Sequence, residues 1–245
     1  VFLTVLRDSL FGGRGSSNLL LPTTDMARLF PATAATWLQA NGGEVRTGVR
    51  VKRLVAAAPG TAGRWQLNGE VFDAVIWATS SSNAASAENI AIYLRTWATT
   101  AGALQFESIA TVYAHSQTAS LARPMVALRS DAACPAQFVF DRGQLDGTHS
   151  LLAFVVSASS GDKDTIEQQV LAQARAQLGL ELVAVQTVIE KRATFACTPA
   201  LQRPPATIAP GLWACGDYVA GPYPATLEGA VRSGTEAAGL LAAID

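Results

Sequence analysis

The stretch Gly211–Ile244, GLWACGDYVAGPYPATLEGAVRSGTEAAGLLAAI, decides the fold. It reads as a short buried strand, a glycine–aspartate corner and a long helix that starts near Thr226. The helix carries Gly229, Ala230, Ser233, Gly234, Ala237 and Ala238. So many small residues let something lie very close to the helix backbone. The predicted apolar stripe is Leu227, Ala230, Val231, Gly234, Ala238 and Leu241. The first turn points back towards Gly216 and Asp217. A helix amino end presents free N–H groups and the positive end of the helix dipole. Such an end suits an anion or an electron-rich group. Asp217, just after the strand, is placed to accept hydrogen bonds from hydroxyl groups. From the residues alone, a plain strand–turn–helix with Asp217 in the turn fits equally well.

Working outward, LPTTDMARLFPATAATWLQANGG reads as a turn and then a helix opened by Pro31 and closed by Gly42. EVRTGVRVKRLVAAA, GRWQLNG and EVFDAVIWATS read as three successive strands, with Asn68–Gly69 as a hairpin signal between the second and third. AVIWAT is a continuous apolar run, as expected of a strand buried on both faces. Between Ser81 and Thr198, SIATVYAH, AQFVFDR, HSLLAFVVSAS and LVAVQTVIEKRATF read as strands. DKDTIEQQVLAQARAQLG reads as an amphipathic helix with Ile166, Val170, Leu171, Ala174 and Leu178 on one stripe. A proline-rich loop, TPALQRPPATIAPG, leads into the closing stretch. The middle block therefore reads as an insertion between two pieces of another domain.

Composition narrows the function. Of the 245 residues 49% are hydrophobic and 15% charged, and the formal net charge is -1. That is more apolar than an average domain, and without a basic block nucleic acid is not an expected partner. No apolar run approaches the ~20 residues of a membrane span, and no basic region precedes the apolar start, so no signal peptide is read. Cys134, Cys197 and Cys215 are widely spaced, which fits a reducing compartment. His115 and His149 have no partner at metal-ligand spacing, so no metal site is expected. The chain opens on Val1, within a helical pattern, so a longer parent protein is expected.

The closing stretch resembles the C-terminal flavin-binding signature of the FAD-dependent amine oxidase and phytoene desaturase superfamily. GGEVRTGVRVKRL is similar to that family's adenine-side segment, and DAVIWATSS to its strand returning to the dinucleotide. The three motifs stand in the family's order across the whole chain. LPTTDMARLFP, FVFDRG, EKRATF and YPATLEGAVRSG resemble most the squalene-associated desaturase group, the hydroxysqualene dehydroxylases. The fold class this implies is mixed α/β: the C-terminal part of a two-domain flavin oxidoreductase, with an incomplete Rossmann-like FAD domain and a mixed-sheet substrate domain. The implied segments are 1–20 (edge of the substrate domain), 21–80 (FAD domain), 81–198 (substrate domain) and 199–245 (FAD domain).

The resemblance also implies roles. Val51 would pair its backbone with the adenine, and Thr79 would lie where the returning strand meets the dinucleotide. Gly216 and Asp217 would contact the ribityl-phosphate region. Ala225, Thr226 and Leu227 would turn their N–H groups to the flavin pyrimidine edge, where a reduced flavin carries negative charge. No catalytic side chain is assigned. The family's phosphate loop is missing: GGRGSSN (Gly12–Asn18) lacks its third glycine and follows no clear strand. FAD is therefore expected in the parent and not in this chain alone, which is expected to be inactive.

The implied reaction converts hydroxysqualene to squalene in hopanoid synthesis. Its partner would be an apolar isoprenoid, and its place the cytoplasm with peripheral contact to the inner membrane. Trp97, Tyr113, Phe138 and Phe140 are candidates to line an apolar pocket and steady a cation, although ordinary core packing explains them as simply. Carotenoid or phytoene desaturation and amine oxidation are the alternatives. The amine-oxidising relatives hold an aromatic cage residue where Thr226 stands, which speaks against an amine substrate. A cofactor-free binding or interaction module is the reading of another class. Self-association is expected through the apolar face that an absent segment would leave bare.

Overall fold

The computed structural model describes residues 2–60, 64–85 and 95–243. Gly63, at the head of the second expected strand, and Ile244 and Asp245 lie outside them. The chain is mixed α/β, in the order α1 (Phe2–Leu10), α2 (Met26–Leu29), α3 (Pro31–Ala40), β1 (Leu54–Ala56), β2 (Trp65–Leu67), β3 (Glu70–Phe72) and β4 (Val75–Trp77). There follow α4 (Ser81–Ala85), α5 (Arg95–Gly102), β5 (Phe106–His115), β6 (Met125–Ala127), β7 (Phe138–Asp141), α6 (Arg142–Leu145) and β8 (Leu151–Ser157). The last elements are α7 (Lys163–Leu178), β9 (Val183–Phe195), β10 (Thr207–Ala209), β11 (Leu212–Ala214) and α8 (Leu227–Ala242).

Two compact units divide these elements. One gathers residues 1–18, 48–105 and 195–245, the other 19–47 and 106–194. The grouping has other boundaries than the expected segments, at 1–18, 21–47, 81–105 and 195–198. The tie of α1 to the first unit is visible: the Tyr223 hydroxyl donates to the Asp8 carboxylate at 2.9 Å.

The second unit is built on a five-stranded sheet in the order β6-β7-β8-β5-β9. Its alternating strands put Ala110, Val112, Ala114, Val139, Leu152, Phe154 and Val156 on one face, where α7 covers them with Ile166, Val170 and Ala174. Asp162 caps the amino end of α7 by accepting from Thr165 N–H, and Gly179 ends it in a left-handed turn. The helix departs from the expected stripe at one position. Gln173 is fully buried, whereas Leu171 and Leu178 are only partly so. The buried amide is satisfied by a loop: Oε1 accepts from Ala136 N–H at 2.9 Å, and Nε2 donates to the carbonyls of Ala136 at 2.8 Å and Arg129 at 3.0 Å.

Asp141 closes β7 and caps α6. Burial opposes its ionisation, but N–H donors from Leu121 and Gln144 outweigh that and hold the carboxyl below the ordinary carboxylate range. The sign of the linkage follows. The folded state releases the proton more readily than the unfolded chain, so the stabilisation is present above the unfolded pKa, ~3.9, and is lost as pH falls through the folded value. We expect Asp141→Asn to be less stable than wild type at neutral pH in urea unfolding, with the gap closing under acid. A gap that does not change with pH would show that the carboxylate charge plays no part.

The first unit holds two small sheets. One is antiparallel, β1-β2-β3, and the other is ordered β10-β11-β4, with β11 parallel to β4. Here the strands are shorter than the sequence suggests, because β1 covers only Leu54–Ala56. EVFDAVIWATS is two strands in two sheets: β3 pairs with β2, and after Asp73–Ala74 the chain turns into β4, which pairs with β11. The apolar stripe of α8 also needs correction. Its buried residues are Ser233 and Ala237, while Leu227, Val231 and Leu241 are exposed. The helix packs on β11 by its smallest side chains because Ser233 Oγ bonds Gly216, accepting from its N–H at 2.8 Å. That contact leaves no room for leucine or valine on the same face.

Candidate functional site

The parallel pair fixes the site. Leu212, Trp213 and Ala214 stand opposite Val75, Ile76 and Trp77, and Cys215 N–H donates to the Trp77 carbonyl at 3.0 Å. Both strands run the same way, so β4 delivers Thr79 and β11 delivers Gly216 and Asp217 at the same sheet edge. Carboxyl ends of parallel strands are where open α/β sheets bind ligands. Next to this edge opens a cavity of about 790 Å³, lined by Val49, Arg50, Val51, Lys52, Trp77 and Thr79 among others. The expected residues Val51 and Thr79 therefore meet in one cavity. Gly216, Asp217, Ala225, Thr226 and Leu227 do not line it; the first two lie at the neighbouring strand end and the last three at the start of α8.

Val51 occupies an irregular segment before β1. Among the described residues neither its N–H nor its C=O has a hydrogen-bond partner. Its neighbours are pinned. Asn68 Oδ1 accepts from Lys52 N–H at 2.9 Å and Arg53 N–H at 3.2 Å, and Asn68 Nδ2 donates to the Arg50 carbonyl at 3.0 Å. Trp77, also in the cavity lining, is buried, and its indole N–H has no partner. An open backbone edge and an unpaired donor are what a heteroaromatic ligand with its own donors and acceptors would satisfy, so the residues fit a flavin dinucleotide.

At the second strand end, Gly216 has φ +150°, and an added Cβ would lie 2.6 Å from the Tyr218 ring. Only glycine fits there. Asp217 is half-buried. Burial pushes its carboxyl up, opposed by the N–H groups of Asp217 and Tyr218 and by the Arg203 charge. Arg203 fastens the loop that follows, donating from Nη1 to the Val219 carbonyl at 2.8 Å and from Nη2 to that of Gly221. Ala220 N–H returns a bond to the Pro204 carbonyl at 2.9 Å. Ala225 takes a left-handed φ of 58° and donates its N–H to the Asp217 carbonyl at 3.3 Å. Thr226 caps α8: its Oγ1 accepts from Gly229 N–H at 3.0 Å and donates to the Tyr223 carbonyl at 2.9 Å. The N–H groups of Thr226 and Leu227 have no partner among the described residues.

Of the four aromatic candidates, three share a surface. In the second unit Phe138, Phe140 and Tyr113 lie on the sheet face opposite α7, with Phe140 and Tyr113 both in register with Ala153 and Phe138 in register with Val155. Trp97 does not join them. It is buried in the first unit, donates its indole N–H to the Pro205 carbonyl at 2.8 Å, and packs edge-on against Tyr218. Sequence reasoning missed the two clamps, Asn68 and Arg203. Asn68–Gly69 carried only its turn signal, and nothing in the spacing marks the proline-rich loop around Arg203 as a fastener. No helix among the described residues is long and apolar enough to cross a membrane.

The chain is 49% identical over 63 residues to a hydroxysqualene dehydroxylase of Sinorhizobium fredii, a match covering 24% of this chain and 15% of that protein. It is 38% identical over 99 residues to a hydroxysqualene dehydroxylase of Rhodopseudomonas palustris, covering 36% of this chain and 24% of that protein. Among solved structures, an oxidoreductase from Methanosarcina mazei superposes with a TM-score of 0.58 at 17% identity, over 82% of this chain and 52% of its own. A protein from Exiguobacterium named for protoporphyrinogen oxidase superposes with a TM-score of 0.57 at 16% identity, over 82% and 48%. The chain thus spans about half the length of these structures and the matched stretches a smaller part of the curated relatives. With the match extending over residues 5–242, the chain belongs to the family of flavin containing amine oxidoreductases.

Proposed function

We propose that this chain forms the adenine-side and pyrimidine-side walls of an FAD site in an oxidoreductase acting on an apolar isoprenoid, and that the reaction is the reductive dehydroxylation of hydroxysqualene. The observation that carries the reading is one cavity lined by the β4 end and the open Val51 edge, with the β11 end beside it on the parallel neighbour of β4. Partial similarity to two hydroxysqualene dehydroxylases supports the choice of substrate. When bound, reduced FAD supplies the electron pair that replaces the lost hydroxyl.

The side chains here do little acid–base work. Val51 offers a backbone donor and acceptor to the adenine, and Asp217 offers a carboxylate to a cofactor hydroxyl. Thr226 and Leu227 offer N–H groups at the positive end of α8 to the charge of the reduced ring. Tyr113, Phe138 and Phe140, which share one face of the second unit's sheet, are the aromatic candidates to contact an apolar isoprenoid. The test is incubation of the full-length gene product with FAD, reductant and hydroxysqualene, followed by mass spectrometry. The expected product is squalene, with loss of one oxygen. Conversion of phytoene or of an amine, with hydroxysqualene untouched, would overturn the substrate, and absence of bound flavin would overturn the cofactor.

A further inference from the structure

We infer that Asn68 is a positioning residue that makes the Val51 edge specific for an adenine-bearing flavin. The inference rests on the cofactor reading above and extends it to a residue outside the cavity lining. Asn68 sits at the hairpin tip between β2 and β3 with a left-handed φ of 49°. A turn asks no more of it than that backbone conformation, which asparagine tolerates and glycine adopts freely. Its side chain does something the turn does not need. It reaches back 15 to 18 residues and bonds the residue before Val51 and the two after it. The backbone of Asn68 adds a fourth tie, its N–H donating to the Arg53 carbonyl at 3.0 Å.

The pattern of these bonds is selective. Arg50 gives its carbonyl and Lys52 and Arg53 give their N–H groups, while the N–H and C=O of Val51 between them stay open. A residue held on both sides with its own donor and acceptor free is a preformed edge. The Watson–Crick edge of adenine carries an amino donor beside a ring-nitrogen acceptor and complements it. Without the clamp this irregular segment has no ladder to hold it, since β1 begins only at Leu54. The ligand would then have to order the segment as it binds, and affinity falls accordingly.

FAD carries adenine and FMN does not, so the pair of cofactors isolates the effect. Asn68→Gly keeps the left-handed turn and removes every side-chain bond. Asn68→Asp keeps the acceptor for Lys52 and Arg53 and sets a carboxylate oxygen against the Arg50 carbonyl in place of the donor. In the full-length gene product, flavin fluorescence titration should show FAD bound about tenfold more weakly by Asn68→Gly, with FMN affinity and melting temperature close to wild type. Asn68→Asp should weaken FAD in the same direction, which covers the case of a poorly folding glycine variant. Equal FAD affinity in wild type and both variants would overturn the inference alone. So would FAD and FMN weakened in parallel, since that would be general loosening of the hairpin. Failure of the wild type to bind FAD would overturn the cofactor reading and this inference with it.

Discussion

Replacing Gly229 with valine is expected to destabilise the fold by about 3 kcal/mol or more, the upper range for forcing bulk into a packed site. A Cβ at this position would lie 2.0 Å from the Tyr223 carbonyl oxygen and 3.3 Å from Thr226 Oγ1. Both are fixed, because Thr226 Oγ1 bonds Tyr223 O and Gly229 N–H at once. Relief would require breaking the cap of α8 and moving the loop that Arg203 fastens. Alanine meets the same oxygen, so Gly229→Ala should already be clearly destabilising although alanine is the better helix former. Urea unfolding measures both variants. By contrast nothing lies within 4 Å of a Cβ built on Gly234 or Gly239 of the same helix, and alanine there should be neutral or stabilising. Equal midpoints for Gly229→Ala and Gly234→Ala would refute the close-approach argument.

Asp217→Ala is expected to lower FAD affinity of the full-length gene product by roughly one to two decades. Removing the acceptor leaves a buried cofactor hydroxyl unpaired, at about 1–3 kcal/mol. The flavin-free protein should behave in the opposite sense. Burial raises the Asp217 carboxyl above its ordinary value, so the folded state holds that proton more tightly than the unfolded chain. The group's contribution therefore declines as pH rises through the window between the two values, and the ionised carboxylate costs stability at neutral pH. Asp217→Ala without flavin should be at least as stable as wild type near neutrality, with the advantage shrinking under acid. A residue that costs stability and holds ligand is the pattern of a binding site rather than of a turn. Wild-type flavin affinity in Asp217→Ala would show that Asp217 is only a turn residue. Lower stability of the flavin-free variant would show that it stabilises the corner.

The legible parts of the sequence were those where a local rule is strong. Pro31 and Gly42 bracket α3, Asp162 and Gly179 bracket α7, and Thr226 opens α8. The runs of β5, β7 and β8 show as strands because each strand alternates against one helix-covered core. The family motifs around Val51, Thr79 and Asp217 are contiguous stretches, so their identity needs no tertiary information. Less legible were the short strands of the first unit, three residues each. Such strands are held by their partners across the chain rather than by propensity, and their ends do not show locally.

What the sequence determined by itself is the strands β5, β7, β8 and β9 and the helices α3 and α7 of the second unit, the strand–corner–helix of the closing stretch and the membership that these motifs carry. Tertiary structure alone decided which face of α8 is packed. Leu227, Val231 and Leu241 form the more apolar stripe, yet Ser233 and Ala237 are buried, because the Ser233 hydroxyl, accepting from Gly216 N–H, holds that face of the helix close to the corner after β11. It also decided that Val51 and Thr79, 28 positions apart, line one cavity. It decided too that β4 pairs in parallel with β11, because a hydrogen-bond register between segments more than a hundred residues apart leaves no periodicity in the chain. The same holds for the reach of Asn68 to either side of Val51. A turn residue and a clamp have the same local signature, and only the folded backbone, by bringing Arg50, Lys52 and Arg53 within hydrogen-bonding distance, distinguishes them.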